Sequence, residues 1–244
     1  MKFSYVDKKY IDLLKNIQNH FNTSQDSIHK ARNEIKIIDF SSESLVVKSF
    51  KIPNILNKVV YTFFRDSKAK KSYDNSLKIG YFSPNPIGYI EFKKSGLFNE
   101  SYFVSENFKY DFTIREPLLD DNFENKKEIF KAFARFTYDL HENGILHLDY
   151  SPGNILIKEE DKSYILKIVD INRMEFRTLN IDERLKNFAK LWAKDHDLKI
   201  IIKEYCRLIN ADEDGSIKIA LKYSQEHKDR KNAKKRLRGE AVVD

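Results

Sequence analysis

The stretch that decides the fold of this chain reads His147-Leu148-Asp149-Tyr150-Ser151-Pro152-Gly153-Asn154-Ile155-Leu156. A strand-like apolar run follows it and ends at Asp170. A carboxylate at Asp149 can face an acceptor hydroxyl, while Asn154 and Asp170 offer the hard oxygen ligands that Mg²⁺ prefers. The order of these residues predicts a site that transfers a phosphoryl group, with His147 in the same catalytic loop, where we expect it to brace the loop.

The segments on either side of the loop support this interpretation. One face of a predicted helix before the loop is formed by Ile129, Phe133, Phe136 and Leu140. After the loop, residues 155–157 and 164–169 flank a polar segment and predict a hairpin. On the alternative interpretation, His147 is a core histidine, Asp149 and Asn154 are turn formers, and Asp170 caps the end of a strand.

The order helix, loop, hairpin and Asp170 is that of the helical lobe of protein kinases. We therefore predict an α+β class with a protein-kinase-like bilobal fold. A small β-rich N-lobe would occupy residues 1–106, and a mainly helical C-lobe residues 107–244.

A strand pair near the N-terminus fits the predicted N-lobe. Glu34–Phe40 and residues 45–50 have strand patterns, and Lys48 lies in the second, where the sequence is similar to the V-A-I-K strand that carries a phosphate-binding lysine. The alternative is a Lys that faces solvent on an edge strand. No G-x-G-x-x-G joins the two strands, so the turn at residues 41–44 would cover the phosphates with backbone N–H groups and hydroxyls.

Two further residues are candidates for the nucleotide site. A basic helix is predicted at residues 65–79, and its Asp74 is the candidate acidic partner of Lys48, with a surface carboxylate as the alternative. Strands are predicted at residues 87–92 and 101–105. Glu106 follows them, where the backbone connecting two kinase lobes would contact adenine.

Composition limits the class of protein. The chain has 244 residues and a formal net charge of +7, which predicts an anionic partner. Its single cysteine, Cys206, predicts a reducing compartment. No apolar run is long enough to span a membrane, and residues 1–8 lack the apolar core typical of a secretory signal, so we expect neither feature. We therefore expect a cytoplasmic protein, with peripheral attachment to the inner face of the cytoplasmic membrane left open.

The C-terminal third combines predicted packing helices, a turn at residues 210–215 and a basic tail. The basic residues of the tail, at residues 228–238, are Lys228, Arg230, Lys231, Lys234, Lys235, Arg236 and Arg238. An anionic membrane surface is the partner we expect for them, rather than nucleic acid. A solvated, partly frayed helix end is the alternative.

Four stretches of the chain resemble the lipopolysaccharide kinases, which phosphorylate Kdo (3-deoxy-manno-octulosonic acid) or heptose of the inner core. The resemblance extends from about residue 32 to residue 177. It rests on the Lys48 strand, on the segment that begins with the Asp74 helix and ends at residue 91, on the loop at residues 147–156, and on Asp170-Ile171-Asn172-Arg173, which is similar to the D-x-x-R of this family.

The resemblance implies an ATP-dependent sugar kinase that uses Mg²⁺ and acts on a lipid-anchored glycan. Lys48 would bind nucleotide phosphates with Asp74 as its partner, Asp149 would be the catalytic base, and Asn154 and Asp170 would be metal ligands. Asn154 favours a Kdo-like acceptor over heptose, because heptose kinases of the family tend to have His there.

The acceptor itself remains open at this point. Arg173 could bind a sugar carboxylate or form a structural salt bridge. The alternative functions are a small-molecule or protein kinase of the same fold, and a nucleotide-binding pseudokinase scaffold.

Overall fold

The computed structural model describes residues 1–30, 33–161 and 163–242. Contacts divide the chain into two compact units, Met1–Lys109 with Asp170–Asn172 and Tyr110–Val169 with Arg173–Asp244. Residue 32, where the family resemblance begins, and residue 162, in the turn of the predicted hairpin, lie outside the described residues.

The first unit is built on one antiparallel sheet. Its strands, β1 to β6, are Lys2–Tyr5, Ser27–Lys30, Glu34–Phe40, Glu43–Ser49, Pro86–Lys94 and Leu97–Glu106. They are ordered β1-β5-β6-β4-β3-β2. Its helices, α1 to α4, are Ile11–Lys15, Ile17–Thr23, Ile55–Phe63 and Lys68–Ile79, with 3₁₀ turns at Lys8–Tyr10 and Gly80–Phe82.

Alternation along β4 divides its side chains between the two faces of this sheet. Leu45 and Val47 are buried in the core that also contains Leu14 of α1. Phe50, three residues beyond Val47, packs instead with Tyr73 of α4 in a second core. The even-numbered residues of β4 therefore point toward the α4 side of the sheet.

The sequence-based strands of this unit are confirmed, whereas the predicted helix differs at its start. The helix predicted from residue 65 begins only at Lys68, because the Ser67 hydroxyl caps it by accepting the Lys70 N–H at 3.0 Å. Helix α3 was not predicted. Gly88 of β5 has no space for a side chain, since a Cβ there would lie 2.6 Å from the Ser4 carbonyl oxygen of β1.

The second unit is mainly helical. Its strands, β7 to β11, are Phe112–Thr113, Ile145–His147, Ile155–Glu160, Ser163–Ile168 and Met174–Phe176. Its helices, α5 to α9, are Arg115–Leu119, Lys126–Glu142, Ile181–Asn187, Asp195–Ile209 and Glu213–Leu237, with 3₁₀ turns at Pro152–Asn154 and Phe188–Leu191. The predicted hairpin is confirmed as β9 and β10, and β8 pairs with β11.

Helix α6 (Lys126–Glu142) forms the centre of this unit. Its buried side chains include the apolar residues that predicted it, α8 packs against α6, and α9 packs against α8. The Thr137 and Tyr150 hydroxyls share a hydrogen bond of 2.8 Å inside this core. This bond ties the helix to the loop that follows β8.

The basic tail is part of α9, which ends at Leu237. Lys228 donates to the Ala193 carbonyl oxygen at 2.8 Å, and Asn232 is 7% exposed. Helix α9 is therefore continuous and packed at these two positions, whereas most of the basic side chains of the tail are exposed. In the described part of the chain, no helix has the length and apolar character needed to cross a membrane.

Candidate active site

Strand β4 places Lys48 on the α4 side of the sheet. Its ammonium nitrogen lies 2.8 Å from Asp170 Oδ1 and 5.4 Å from the centre of the Phe50 ring. The Lys48 side chain is 13% exposed and that of Asp170 30% exposed. Because the pair is only partly covered, solvent or a ligand can still reach it.

Asp170 has an unusual backbone conformation, with a φ of 57° that non-glycine residues seldom adopt. Two amides hold it there. Asn172 Nδ2 donates to Asp170 Oδ1 at 2.5 Å, and Asn75 Nδ2 of α4 donates to the Ile171 carbonyl oxygen at 2.6 Å. Helix α4 thus anchors the segment that presents the Asp170 carboxylate. Strain of this kind is concentrated at functional sites.

The structure does not form the expected pair between Lys48 and Asp74. Among the described residues, Asp74 pairs with Lys70 at 2.5 Å, and Lys48 pairs with Asp170. The reason is the rotation of α4, which turns Ala69 and Tyr73 toward the sheet and leaves Asp74 46% exposed. The hydrogen bond with Asp74 raises the pKa of Lys70.

Glu106 ends β6 and is tied to the turn before β5. Its carboxylate accepts the Asn85 N–H at 2.9 Å and Asn85 Nδ2 at 2.8 Å. The next residue, Asn107, donates its N–H to the Ser44 carbonyl oxygen at 3.2 Å. The Asn107 bond joins the segment after β6 to the start of β4, close to the β3–β4 turn, where Ser42 has a φ of 66°.

In the second unit, the buried His147 imidazole organises the loop that carries Asp149. Nδ1 accepts the Asp149 N–H at 3.0 Å, and Nε2 lies 3.0 Å from the Val169 carbonyl oxygen. Because an N–H and a carbonyl face opposite sides of the ring, the neutral tautomer with a proton on Nε2 satisfies both contacts. His147 therefore braces the loop.

Asn154 closes the same loop. Its Nδ2 donates to the Asp149 carbonyl oxygen at 2.8 Å, and its own carbonyl oxygen accepts the Val169 N–H at 2.9 Å. Asp170 is the next residue of the chain after Val169. A Cβ at Gly153 would lie 2.6 Å from the Arg115 guanidinium, so a larger residue there would displace the end of that flexible side chain. The loop is held by main-chain contacts, which leave the Asp149 carboxylate 47% exposed.

Cationic groups surround that carboxylate. Arg173 lies 3.9 Å from Asp149 Oδ2, and Lys190 donates to the Leu148 carbonyl oxygen. Burial lowers the pKa of Lys190; the charge of Asp149 opposes this, whereas Arg230 and Lys231 add to it. Helix α9 thus brings part of the basic tail near the loop.

Sequence reasoning missed two residues of this loop environment, Lys190 and Asn187. Asn187 Nδ2 donates to the His147 carbonyl oxygen at 3.1 Å, and its Oδ1 lies 3.3 Å from His141 Nε2. Neither residue belongs to a motif. Lys190 is one of 44 basic residues, so no local pattern distinguishes it.

The donor atoms of the predicted metal ligands suit a hard cation. Asp170 provides a carboxylate and Asn154 an amide oxygen, both of which Mg²⁺ accepts. A second group of possible ligands consists of Asp121, His196 and Asp197. The ammonium groups of Lys126 and Lys194 already contact its carboxylates. Lys194 and Lys126 hydrogen-bond to Asp121 and lower its pKa to about 2. We interpret this second group as a salt-bridge network.

Comparison with known proteins supports a single assignment. The sequence profile of the lipopolysaccharide kinase (Kdo/WaaP) family matches residues 78–211, which is more than half of the chain. No curated protein matches the sequence. The solved structure titled "WaaP in complex with acyl carrier protein" is similar, with a TM-score of 0.59 and 14% identity, over 93% of this chain and 99% of that chain. This likeness confirms the predicted protein-kinase-like fold.

Proposed function

This chain belongs to the lipopolysaccharide kinase (Kdo/WaaP) family, and we propose that it transfers a phosphoryl group from ATP to a sugar hydroxyl of the lipopolysaccharide inner core. The family is a kinase family, so the chain is a kinase. The observation that carries the proposal is the loop at Asp149, in which His147 and Asn154 fix the backbone while the carboxylate stays accessible.

Each residue of the motif receives one role in this proposal. Asp149 accepts or orients the proton of the attacking hydroxyl, and His147 keeps the loop in place. Lys48 exchanges its contact with Asp170 for phosphate oxygens when nucleotide binds. Asp170 and Asn154 are the proposed Mg²⁺ ligands, and the bound ion would neutralise charge on the phosphates.

Two predicted residues of the nucleotide site, Asp74 and Glu106, contact other groups of the chain in the structure. Asp74 remains a candidate partner of Lys48 only if α4 turns about its axis, because its carboxylate now contacts Lys70. Glu106 remains the candidate adenine-contacting position through its backbone. Its N–H donates to the Asn85 carbonyl oxygen at 2.9 Å.

We propose a Kdo-like acceptor rather than heptose. Asn154 is the residue that separates these branches in the family resemblance. The cations near the loop agree with this choice, because Arg173, Lys190 and Arg230 provide positive charge suited to a sugar carboxylate. Exposed cations farther along residues 228–238 would meet the anionic groups of a lipid-anchored acceptor or of the membrane that holds it.

A direct test uses labelled ATP, Mg²⁺ and lipid A precursors that carry Kdo alone or Kdo with heptose. We expect label on Kdo, and we expect a charge reversal at Arg230 (Arg230→Glu) to raise the KM of this acceptor with little change in the KM of ATP. Label on heptose alone would refute the Kdo assignment. Label on a protein or small alcohol instead would favour a different kinase of the same fold.

The pseudokinase alternative rests on the contact between Lys48 and Asp170, which occupies two catalytic groups with each other. It predicts nucleotide binding without transfer to any acceptor. The same assay separates the two functions, provided that nucleotide affinity is measured in parallel.

A further inference from the structure

Helix α3 packs on the sheet of the first unit through its polar side. The Phe98 N–H of β6 donates to Thr62 Oγ1 at 2.8 Å, and Lys58 Nζ donates to Asn99 Oδ1 at 2.8 Å. The Tyr61 ring lies 5.4 Å from the Phe98 ring. Lys58 and Thr62 are four residues apart, so they occupy the same face of the helix.

The opposite face is apolar and open to solvent. All residues of α3 lie in the described part of the chain, and none of them is buried. The exposed apolar residues of α3 and its flanks are Ile52, Ile55, Leu56, Val59, Val60, Phe63 and Phe64. Leu56 is 75% exposed and Phe64 81% exposed. A helix of a globular protein normally buries its apolar face, so the orientation of α3 is inverted.

This patch is larger than scattered surface residues would produce. Each large aromatic side chain has about 150–250 Å² of surface. The exposed fractions of the side chains in this stripe therefore amount to several hundred Å² of apolar surface. Contiguous apolar patches of this size mark an interaction surface.

The charge around the stripe indicates which partner covers it. Lys51 precedes α3, Arg65 follows it, and no acidic residue lies between them in the sequence. Lys2 and Lys93 line a cleft beside Thr62. Of the acids near the helix, Glu91 is buried in the same cleft and Asp66 pairs with Lys70. Glu100, which contacts Asn99, accepts hydrogen bonds from Gln18 and Tyr102.

A second copy of the chain fits this surface poorly. A twofold contact through α3 would place the cations that flank the helix in one copy near those of the other. An anionic lipid surface meets both requirements, because its phosphates attract the cations while its acyl boundary accepts the apolar stripe.

We propose that α3, with Ile52 and Phe64, docks the protein on anionic membranes. The helix would lie in the plane of the interface with Phe63 and Phe64 inserted below the headgroups, and with Lys51 and Arg65 at the level of the phosphates. This surface is distinct from residues 228–238, and it does not depend on the identity of the acceptor sugar.

The test measures sedimentation of the full chain with lipid vesicles. Wild-type protein should bind vesicles of phosphatidylcholine with phosphatidylglycerol and should bind pure phosphatidylcholine at least tenfold more weakly. The double variant Phe63→Ser/Phe64→Ser should lose at least tenfold in vesicle affinity. The variant Lys51→Glu/Arg65→Glu should lose the preference for anionic lipid.

The matched control is Leu119→Ser/Ile181→Ser, which removes exposed apolar groups outside α3 and should bind like wild type. Since Phe63 and Phe64 are exposed, thermal unfolding should show that the double variant folds. Wild-type binding by Phe63→Ser/Phe64→Ser would overturn the proposal, as would an absence of vesicle binding by the wild type. A wild-type dimer that this variant converts to a monomer would instead assign the face to a second copy.

Discussion

Acid should destabilise this protein through His141, which supports the catalytic loop from within α6. The imidazole lies 2.8 Å from the Tyr205 hydroxyl through Nδ1 and 3.3 Å from Asn187 Oδ1 through Nε2. Burial lowers the pKa of His141 from 6.5 to about 4. Asn187 in turn donates to the His147 carbonyl oxygen, so the same group connects this histidine to the loop.

The sign of the effect follows from the direction of this shift. The unfolded chain takes up a proton at His141 as the pH falls through about 6.5, whereas the folded protein resists it until about pH 4. The free energy of unfolding therefore falls across this window. At about 1.4 kcal/mol per pKa unit, His141 alone should cost about 2.5 kcal/mol between about pH 7.5 and pH 4.5.

Urea unfolding at a series of pH values measures this loss, with His141→Gln as the comparison because glutamine cannot take up the proton. The comparison is necessary because burial and the nearby Lys231, Arg230 and Lys190 also lower the pKa of His227 to about 4. The wild-type free energy of unfolding should fall more steeply than that of the variant, by up to about 1.2 kcal/mol per pH unit. Parallel curves for the two proteins would refute the reasoning.

Further predictions concern the two parts of the site. Lys48→Met should weaken nucleotide binding by about tenfold or more, or about 1.4 kcal/mol, as measured by calorimetry, with Lys36→Met unchanged. Asp74→Asn should change turnover by less than about threefold, because exposed ion pairs contribute about 0–1 kcal/mol; a loss as large as that of Lys48→Met would show that Asp74 pairs with Lys48 in the active enzyme. Asn187→Ala should lower kcat about tenfold with the KM of ATP unchanged, since one lost hydrogen bond to the loop costs about 1–3 kcal/mol; an equal change in both constants would count against its role in positioning the loop.

The features that could be predicted from the sequence are those with short-range patterns. Alternation identified β3 and β4 and placed Lys48 on a strand, and helical spacing identified α6. The loop from His147 to Asn154 is contiguous, so its internal contacts depend on few other parts of the chain. Residue spacing was sufficient in each case because the determining contacts are local.

The remaining contacts depend on how distant elements pack. The pairing of Asp74 with Lys70 follows from the rotation of α4, which Ala69 and Tyr73 set by packing on the sheet. Lys190 reaches the loop only because the 3₁₀ turn after α7 lies beside it. Helix α3 carried a local signal, an Asn54 cap before a stripe of apolar residues, but its outward orientation was not predictable.

The most direct test of the catalytic role of Asp149 compares phosphoryl transfer with nucleotide affinity in Asp149→Asn. We predict that turnover on a Kdo-bearing acceptor falls by at least about a hundredfold, while ATP affinity stays within about threefold of wild type. The control Asp161→Asn, at the exposed residue that follows β9, should keep wild-type turnover. Wild-type turnover by Asp149→Asn would contradict the assignment of this carboxylate as the catalytic base.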